Sequence, residues 1–221
     1  GFKNRYARLL WVNDTPYWVE EKLAETNYAG IFKVKRIPNE LLGEKREVLK
    51  SHPGNYYQLL GEPHPAWLNA ESTVLKIIKN HLPGNQRLFE GMELYFYLKS
   101  IRWDDLKKFS EKTFDDELLR KILPHLYHVY PSEKVIEMEY IQGLPLRKLP
   151  LAKRLNAVLI IAKAVGTMHK QGIFYGDIAY RNLRIINGEQ PKLMDPDLLR
   201  IYQGQKDIAQ TLIIHLDSCH S

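Results

Sequence analysis

Short apolar runs separated by turn residues dominate the first half of the chain. The runs are rich in aromatic and β-branched residues, a composition typical of strands. Turn formers such as Asn13-Asp14 and Pro53-Gly54 separate them. The first half is therefore predicted to be mostly β-structure. The predicted strands are residues 6–12, 30–37, 55–60, 66–70 and 72–79.

Helical spacing of apolar residues begins after Pro83-Gly84. Residues 85–101 carry apolar side chains at near-helical intervals, which predicts a helix. The charged stretch 105–123 is predicted to be helical as well. Residues 134–141 are apolar and β-branched, which predicts a strand, and Gln142-Gly143 ends it.

The rest of the chain alternates between helix and hairpin. Residues 151–170 form a predicted amphipathic helix. Asn187-Gly188, a turn sequence favoured in hairpins, separates β runs at 183–186 and 192–194, and residues 207–216 predict a further helix. The apolar face of the 151–170 helix is predicted to contain Leu155, Val158, Leu159, Ala162, Val165 and Met168. This order indicates an α+β protein with two parts that meet near residue 142.

Composition narrows the possible partners. The chain has 221 residues, 44% of them hydrophobic, enough for one globular unit or two small lobes. The formal net charge of +6 fits either a basic solvated surface or attraction to an anionic partner. No nucleic-acid-binding motif accompanies this charge, so nucleic acid is not an expected partner.

Cysteine content and hydropathy bear on the compartment. The single cysteine, Cys219, excludes a disulfide or a Cys-based metal site within the chain. No run approaches about 18 consecutive apolar residues, the length of a membrane span, and residues 1–5 do not resemble a signal peptide. A cytoplasmic location is expected, with peripheral contact at the inner membrane surface as an open alternative.

The residues that can carry chemistry cluster late in the chain. Asp177 and Asn182 are separated by four residues on a loop between the long helix and the hairpin, and Asp195 ends the following strand. Phosphoryl transfer uses one carboxylate to orient and deprotonate the attacking hydroxyl. A second carboxylate and an amide oxygen hold Mg²⁺. Asp177, Asp195 and Asn182 can supply these three groups.

The pattern Asp-x-x-x-x-Asn at residues 177–182, followed by Asp195-Pro196-Asp197, resembles the catalytic loop and the metal-binding motif of protein kinases. The resemblance implies ATP and Mg²⁺ as cofactors. It also implies a two-lobed protein-kinase-like fold with a β-rich N-lobe and a truncated helical C-lobe. The implied bounds are 1–54 for a β-rich N-terminal extension, 55–141 for the N-lobe and hinge strand, and 142–221 for the C-lobe.

The same resemblance assigns roles in the first half of the chain. Lys76 lies in an apolar strand segment and is the implied contact to the α- and β-phosphates. Glu93 is its implied helix partner, with Glu90 as the competitor. Taken alone, a strand lysine also fits an outward-pointing side chain on an exposed face. The other implied nucleotide-binding positions are Gly61 in the phosphate-covering loop and Met138, Glu139 and Ile141 in the hinge strand.

Several positions depart from the kinase pattern. Gly61 is the only glycine left in its loop, where two prolines remove N–H donors that would cradle phosphate. Tyr175-Gly176 stands where His-Arg is usual, and only eleven residues separate Asp195 from Asp207, too few for a regulated activation segment. The chain in this respect resembles small atypical members of the superfamily, such as bacterial lipopolysaccharide-core kinases acting on Kdo or heptose, and minimal bacterial protein kinases.

The expected activity is transfer of the γ-phosphate of ATP to a hydroxyl on a protein Ser, Thr or Tyr, or on a lipopolysaccharide-core sugar. Glycolipid acceptors lie at an anionic membrane surface, which would attract a basic protein. The alternative is a pseudokinase, a nucleotide- or protein-binding module without turnover. The weak glycine loop favours the pseudokinase, whereas the retained catalytic and metal-binding side chains favour activity. The acceptor and the oligomeric state stay open.

Overall fold

The computed structural model describes residues 9–51, 70–79 and 88–202. The strand predicted at 55–60, the helix predicted at 207–216 and Gly61 lie outside these ranges. The chain divides into two compact units. The first comprises the residues up to Tyr97 together with Leu126–Tyr140, and the second comprises Leu98–His125 together with the residues from Ile141 onward.

The first unit is built on antiparallel strands. Among the described residues these are β1 (Leu9–Val12), β2 (Thr15–Glu25), β3 (Ala29–Arg36), β4 (Ser72–Ile78), β5 (Leu126–Tyr130) and β6 (Val135–Glu139). They form one six-stranded sheet in the order β1-β2-β3-β4-β6-β5. Helices α1 (Arg46–Ser51) and α2 (Leu88–Ser100) lie between β3 and β5 in the sequence.

Strand β2 was not predicted from the sequence. Asn13 and Asp14 have φ values of 44° and 63°, as a two-residue hairpin turn requires, and β2 continues from them. Its second half is charged and exposed, so it lacks the alternation that marks a strand. Backbone pairing with β3 along most of its length, and with β1 near its start, holds it in extended form.

The sheet curls so that strands distant in its order meet. The hydroxyl of Tyr17 on β2 donates to Glu137 Oε2 on β6 at 2.7 Å and lies 3.0 Å from the hydroxyl of Tyr130 on β5. Strands β3 and β4 stand between β2 and β6 in the sheet order. A flat sheet would keep these side chains apart, because neighbouring strands are about 4.8 Å apart.

The second unit combines helices with short strands. Its described elements are α3 (Trp103–Ser110), α4 (Glu117–Ile122), β7 (Leu144–Pro145), α5 (Leu151–Lys170), β8 (Ile173–Tyr175), β9 (Leu183–Ile186), β10 (Gln190–Leu193) and β11 (Leu199–Ile201). Strands β9 and β10 form the predicted hairpin, with β7 beside β9, and β11 pairs with β8. Helix α5 packs on α4, β8 and β10.

Two helical predictions for the second unit were wrong in detail. The stretch 105–123 forms two helices rather than one, because Asp116 accepts a hydrogen bond from the Leu119 amide at 3.0 Å and caps a new helix, α4. In α5, Leu155 and Leu159 of the predicted apolar face are 58% and 62% exposed. The buried positions of α5 are Ala157, Ile161, Ala164 and Met168. The two alanines allow the helix to approach its neighbours closely.

These elements confirm the predicted α+β class, with a curled antiparallel sheet as the N-lobe and few helices, consistent with a protein-kinase-like fold. Strands β1 to β3 share one sheet with β4, and residues 98–125 group with the second unit. The predicted domains 1–54, 55–141 and 142–221 are continuous stretches of chain, whereas each of the two units combines separate stretches. The three-domain division stays a prediction. In the part of the chain that is described, no helix is both long and apolar enough to cross a membrane.

Candidate active site

Two chain segments of the second unit lie side by side around residues 176 and 195. Strand β11 pairs with β8 in a register that places Leu199 opposite Tyr175. The Met194 amide donates to the Asn182 carbonyl at 2.7 Å. A Cβ on Gly176 would lie 2.6 Å from the Leu198 carbonyl oxygen, so only glycine allows this approach. The loop after β8 is thereby held against the segment after β10.

The carboxylate of Asp177 is oriented by two donors from its own loop. Asn182 Nδ2 donates to Asp177 Oδ2 at 2.9 Å and to the Asp177 carbonyl at 3.0 Å. Arg181 donates to the same Oδ2 at 2.6 Å. Among the described residues Asp177 Oδ1 accepts no hydrogen bond. The Asn182 side chain is buried, and its two bonds through Nδ2 turn its Oδ1 away from Asp177.

Asp195 is the second residue after β10 and has a left-handed conformation, with φ of 64°. Such a conformation is uncommon for a residue other than glycine, and it costs free energy that the surrounding structure must supply. Strained residues of this kind cluster at functional sites. The buried Leu193 and the hydrogen bond from Met194 to Asn182 fix the chain just before it.

Tyr175 ends β8, two residues before Asp177, and was not among the predicted site residues. Its side chain is buried, and within the described ranges its hydroxyl has no hydrogen-bond partner. Burial, followed by the nearby carboxylates of Asp195, Asp197 and Asp177, raises the pKa of the Tyr175 phenol well above its usual value. The only signal in the sequence was its departure from the His-Arg pair of the kinase pattern.

In the first unit, Lys76 lies on β4 opposite Ile31 of β3 and Ile136 of β6. The side chain is only 5% exposed, so the outward-pointing alternative for this lysine was wrong. The Glu93 carboxylate on α2 accepts a hydrogen bond from the Tyr28 hydroxyl at 2.9 Å. The side chain of Glu90 lies outside the described residues, and the pairing of Lys76 with Glu93 stays a prediction.

Two of the predicted hinge residues end β6, the strand that lies next to the edge strand β5. Met138 and Glu139 close β6, opposite Val74 and Thr73 of β4. The Met138 side chain is buried, and Ile141 follows two residues after the strand. Their predicted contacts to adenine stay predictions.

The predicted magnesium ligands fit the chemistry of that ion. Among the described residues no group of three or more His, Cys, Asp or Glu side chains could hold a metal. Magnesium does not require such a group, because it keeps several waters and binds through one or two carboxylates plus substrate phosphates. Asp195 supplies a carboxylate and Asn182 an amide oxygen. The two predicted ligands are on adjoining segments, because the Met194 amide, next to Asp195, donates to the Asn182 carbonyl.

Comparison with known proteins gives a distant relationship. The chain is similar to the KEOPS complex subunit Bud32 of Pyrococcus abyssi, with 29% identity over 139 residues, covering 52% of this chain and 63% of that protein. The chain thus spans less than two thirds of that protein's length. No protein-family model matches the chain. The similarity supports a distant relationship to an atypical member of the protein-kinase-like superfamily.

Proposed function

We propose that this chain binds Mg²⁺-ATP and transfers the γ-phosphate to a hydroxyl acceptor. The observation that carries the proposal is the arrangement of Asp177, Asn182 and Asp195. Asp177 and Asn182 share hydrogen bonds, and Asp195 stands in a strained conformation on the adjoining segment. The distant similarity to a protein-kinase-like superfamily member supports the same conclusion.

In this proposal Asp177 is the base. Both hydrogen bonds that orient its carboxylate end on Oδ2, so Oδ1 is the atom that faces the acceptor. Oδ1 accepts the hydroxyl proton as the acceptor oxygen bonds to the γ-phosphorus. The bond from that phosphorus to the bridging oxygen breaks, and ADP leaves. Most of the acceleration in such reactions comes from positioning and charge stabilisation.

The remaining predicted residues would position the nucleotide. Asp195 and Asn182 would hold Mg²⁺, which neutralises charge on the β- and γ-phosphates when bound. Lys76, held by Glu93, would orient the α- and β-phosphates. Gly61 would lie over the phosphates, and Met138, Glu139 and Ile141 would contact the adenine.

The acceptor is proposed to be a hydroxyl on a protein. The relative in Pyrococcus abyssi is a subunit of a complex, and a subunit works in lasting contact with other proteins. We extend that property to this chain as a proposal. A sugar hydroxyl on a glycolipid is the other acceptor to include in a screen.

One observation favours a binding module without turnover. Arg181 donates to Asp177 at 2.6 Å and neutralises its charge. A guanidinium that stays against this carboxylate obstructs the approach of an acceptor hydroxyl. The Arg181 side chain is 72% exposed, however, so it can move away when an acceptor enters.

Thermal unfolding tests nucleotide binding first. A ligand that binds only the folded state stabilises it by about 2.7 kcal/mol at 100 times its Kd. We therefore expect ATP to raise the Tm by several degrees in Mg²⁺ and by much less in EDTA. Asp195→Asn should lose the Mg²⁺-dependent part of this rise. Asp104→Asn is the matched control, because Asp104 is an exposed carboxylate on α3.

The outcomes separate the candidates. A Mg²⁺-dependent rise that Asp195→Asn removes supports the nucleotide site. Phosphate transfer from labelled ATP to a protein or glycolipid then identifies the acceptor. A Mg²⁺-dependent rise without transfer to any acceptor, to water or to the chain itself supports the binding module. No rise at millimolar ATP contradicts the proposed kinase and leaves a protein-binding module without turnover.

A further inference from the structure

Among the described residues, the Tyr175 hydroxyl is a buried donor without an acceptor. The side chain is 6% exposed, and in the described part of the chain no atom accepts from its hydroxyl. Leaving a buried polar group unsatisfied costs free energy, and native structures contain few such groups. A phenylalanine would fill the same space without this cost. The hydroxyl therefore requires an explanation beyond packing.

The surroundings of this hydroxyl are acidic. The carboxylates of Asp195, Asp197 and Asp177 all act electrostatically on the phenol. Asp197 is itself buried, with 3% exposure. The base of the tyrosine is fixed to the same segment, because Tyr175 pairs with Leu199 across β8 and β11. The phenol is thus held beside the residues that the proposed function assigns to the cation and the acceptor.

A carboxylate that binds a metal through one oxygen commonly accepts a hydrogen bond on the other, and such supporting donors orient the ligand. A neutral phenol has one O–H to donate. Of the three carboxylates near the phenol, Asp195 is the one that the proposed function assigns to the cation. It also has a left-handed backbone, which a supporting bond would help to hold in the loaded state.

We propose that Tyr175 is a positioning residue whose hydroxyl donates to the Asp195 carboxylate when a divalent cation is bound, so that the free protein keeps an unsatisfied donor for the loaded site. This inference rests on the proposed function, since it requires Asp195 to bind the cation. In this inference Tyr175 acts on the cation site through Asp195 alone.

The test uses Tyr175→Phe and Mn²⁺, a paramagnetic substitute for Mg²⁺ whose free concentration is measured by electron paramagnetic resonance. We expect Tyr175→Phe to weaken Mn²⁺ binding about tenfold, at the lower end of the effect of removing such a supporting donor. The Tm of the free variant should equal or exceed that of the wild type. Tyr202→Phe is the matched control, because Tyr202 packs on Phe174 in the same unit. It should change neither quantity.

A second measurement begins with the wild-type chain and observes its tyrosines directly. Titration of the wild-type chain with Mg²⁺ should produce a near-ultraviolet tyrosine difference spectrum. The spectrum should persist in Tyr202→Phe and vanish in Tyr175→Phe.

Equal Mn²⁺ affinity in wild type and Tyr175→Phe would overturn the inference and leave the proposed function standing. A marked fall in the Tm of free Tyr175→Phe would also overturn it, because the hydroxyl would then already have a partner in the free protein. Absence of any cation binding by the wild type would overturn the inference and the proposed function together.

Discussion

Two buried polar groups, one in each unit, differ in whether their hydrogen bonds are complete. In the first unit the Glu137 carboxylate, 2% exposed, accepts from Tyr17 at 2.7 Å and from Thr73 at 3.1 Å. His128 Nδ1 lies 3.0 Å from the same carboxylate. In the second unit the Tyr175 hydroxyl is equally enclosed and, among the described residues, has no partner.

This contrast separates the buried groups that stabilise the fold from those that do not. The partners of Glu137 come from β2, β4 and β5. The cluster therefore joins β6 to its two neighbours in the sheet and to β2, which curling brings close. A satisfied network of this kind rigidifies and specifies a core. The Tyr175 hydroxyl has no partner among the described residues and so adds no stability to the free protein. We therefore expect it to act when a cation binds at the neighbouring carboxylates. Stability and catalysis should therefore respond to different substitutions in the two units.

The largest expected effect is on turnover and comes from Asp177→Asn. The variant keeps the size and polarity of the side chain but cannot accept the acceptor proton through a carboxylate. We expect kcat to fall about 10²- to 10⁴-fold, the usual contribution of a general base. The Kd for Mg²⁺-ATP and the free energy of unfolding should stay close to the wild-type values. Steady-state kinetics with labelled ATP and isothermal titration calorimetry measure these quantities.

Asp104→Asn serves as the control for this substitution, since it removes an exposed carboxylate from the same unit. It should leave kcat unchanged. Wild-type turnover in Asp177→Asn would mean that Asp177 is not the base. The contrast between a structural cluster in the first unit and a catalytic site in the second would then lose its functional half.

The next effect is on stability and comes from Glu137→Ala. The substitution leaves the Tyr17 and Thr73 hydroxyls without their acceptor in the core. Each hydroxyl left without an acceptor costs about 1–3 kcal/mol, so we expect the free energy of unfolding to fall by about 3 kcal/mol. Urea denaturation followed by circular dichroism measures it. Glu133→Ala, at an exposed turn position before β6, should change it by less than about 0.5 kcal/mol. A similar small change in Glu137→Ala would show that the network is not structural.

A smaller effect on the free energy of unfolding is expected when the same chemical change, loss of a hydroxyl, is made at two buried tyrosines. Tyr17→Phe removes a hydroxyl bonded to Glu137 and close to that of Tyr130. We expect it to lower the free energy of unfolding by about 1–2 kcal/mol. Tyr175→Phe should leave that free energy unchanged or raise it. Loss of stability of equal size in both variants, measured by urea denaturation, would remove the distinction between the two units.

The parts of the candidate site that the sequence predicted are those whose spacing is local. Asp177 and Asn182 are hydrogen-bonded within one loop, so their spacing in the sequence is enough to predict that they lie close together. The hairpin turn at Asn187-Gly188 is likewise local, and both residues have positive φ. Such features depend on the conformation of a few consecutive residues, and residue type indicates that conformation directly.

The parts that sequence analysis missed depend on distant contacts. Tyr17 and Glu137 are 120 residues apart in sequence, and only curling of the sheet brings them together. Strand β2 lacks the alternation of apolar and polar residues, because backbone pairing with β3 rather than burial of side chains holds its charged half. The buried face of α5 is set by small residues such as Ala157 and Ala164. Hydrophobicity alone favours the leucines, which the structure leaves exposed.

The smallest effect concerns alkaline pH and again uses Tyr17. Burial and the neighbouring Glu137 carboxylate raise the pKa of the Tyr17 phenol far above its ordinary value of 10.0. Below pH 10 the phenol is neutral in the folded and the unfolded chain, so its contribution to stability is fully present. Above that pH only the unfolded chain ionises, and the contribution falls by about 1.4 kcal/mol per pH unit. The stability of wild type should therefore fall more steeply than that of Tyr17→Phe between pH 10 and 11. Parallel urea-denaturation curves for the two proteins over this range would mean that the Tyr17 hydroxyl is reached by solvent, and that the Glu137 network is not closed.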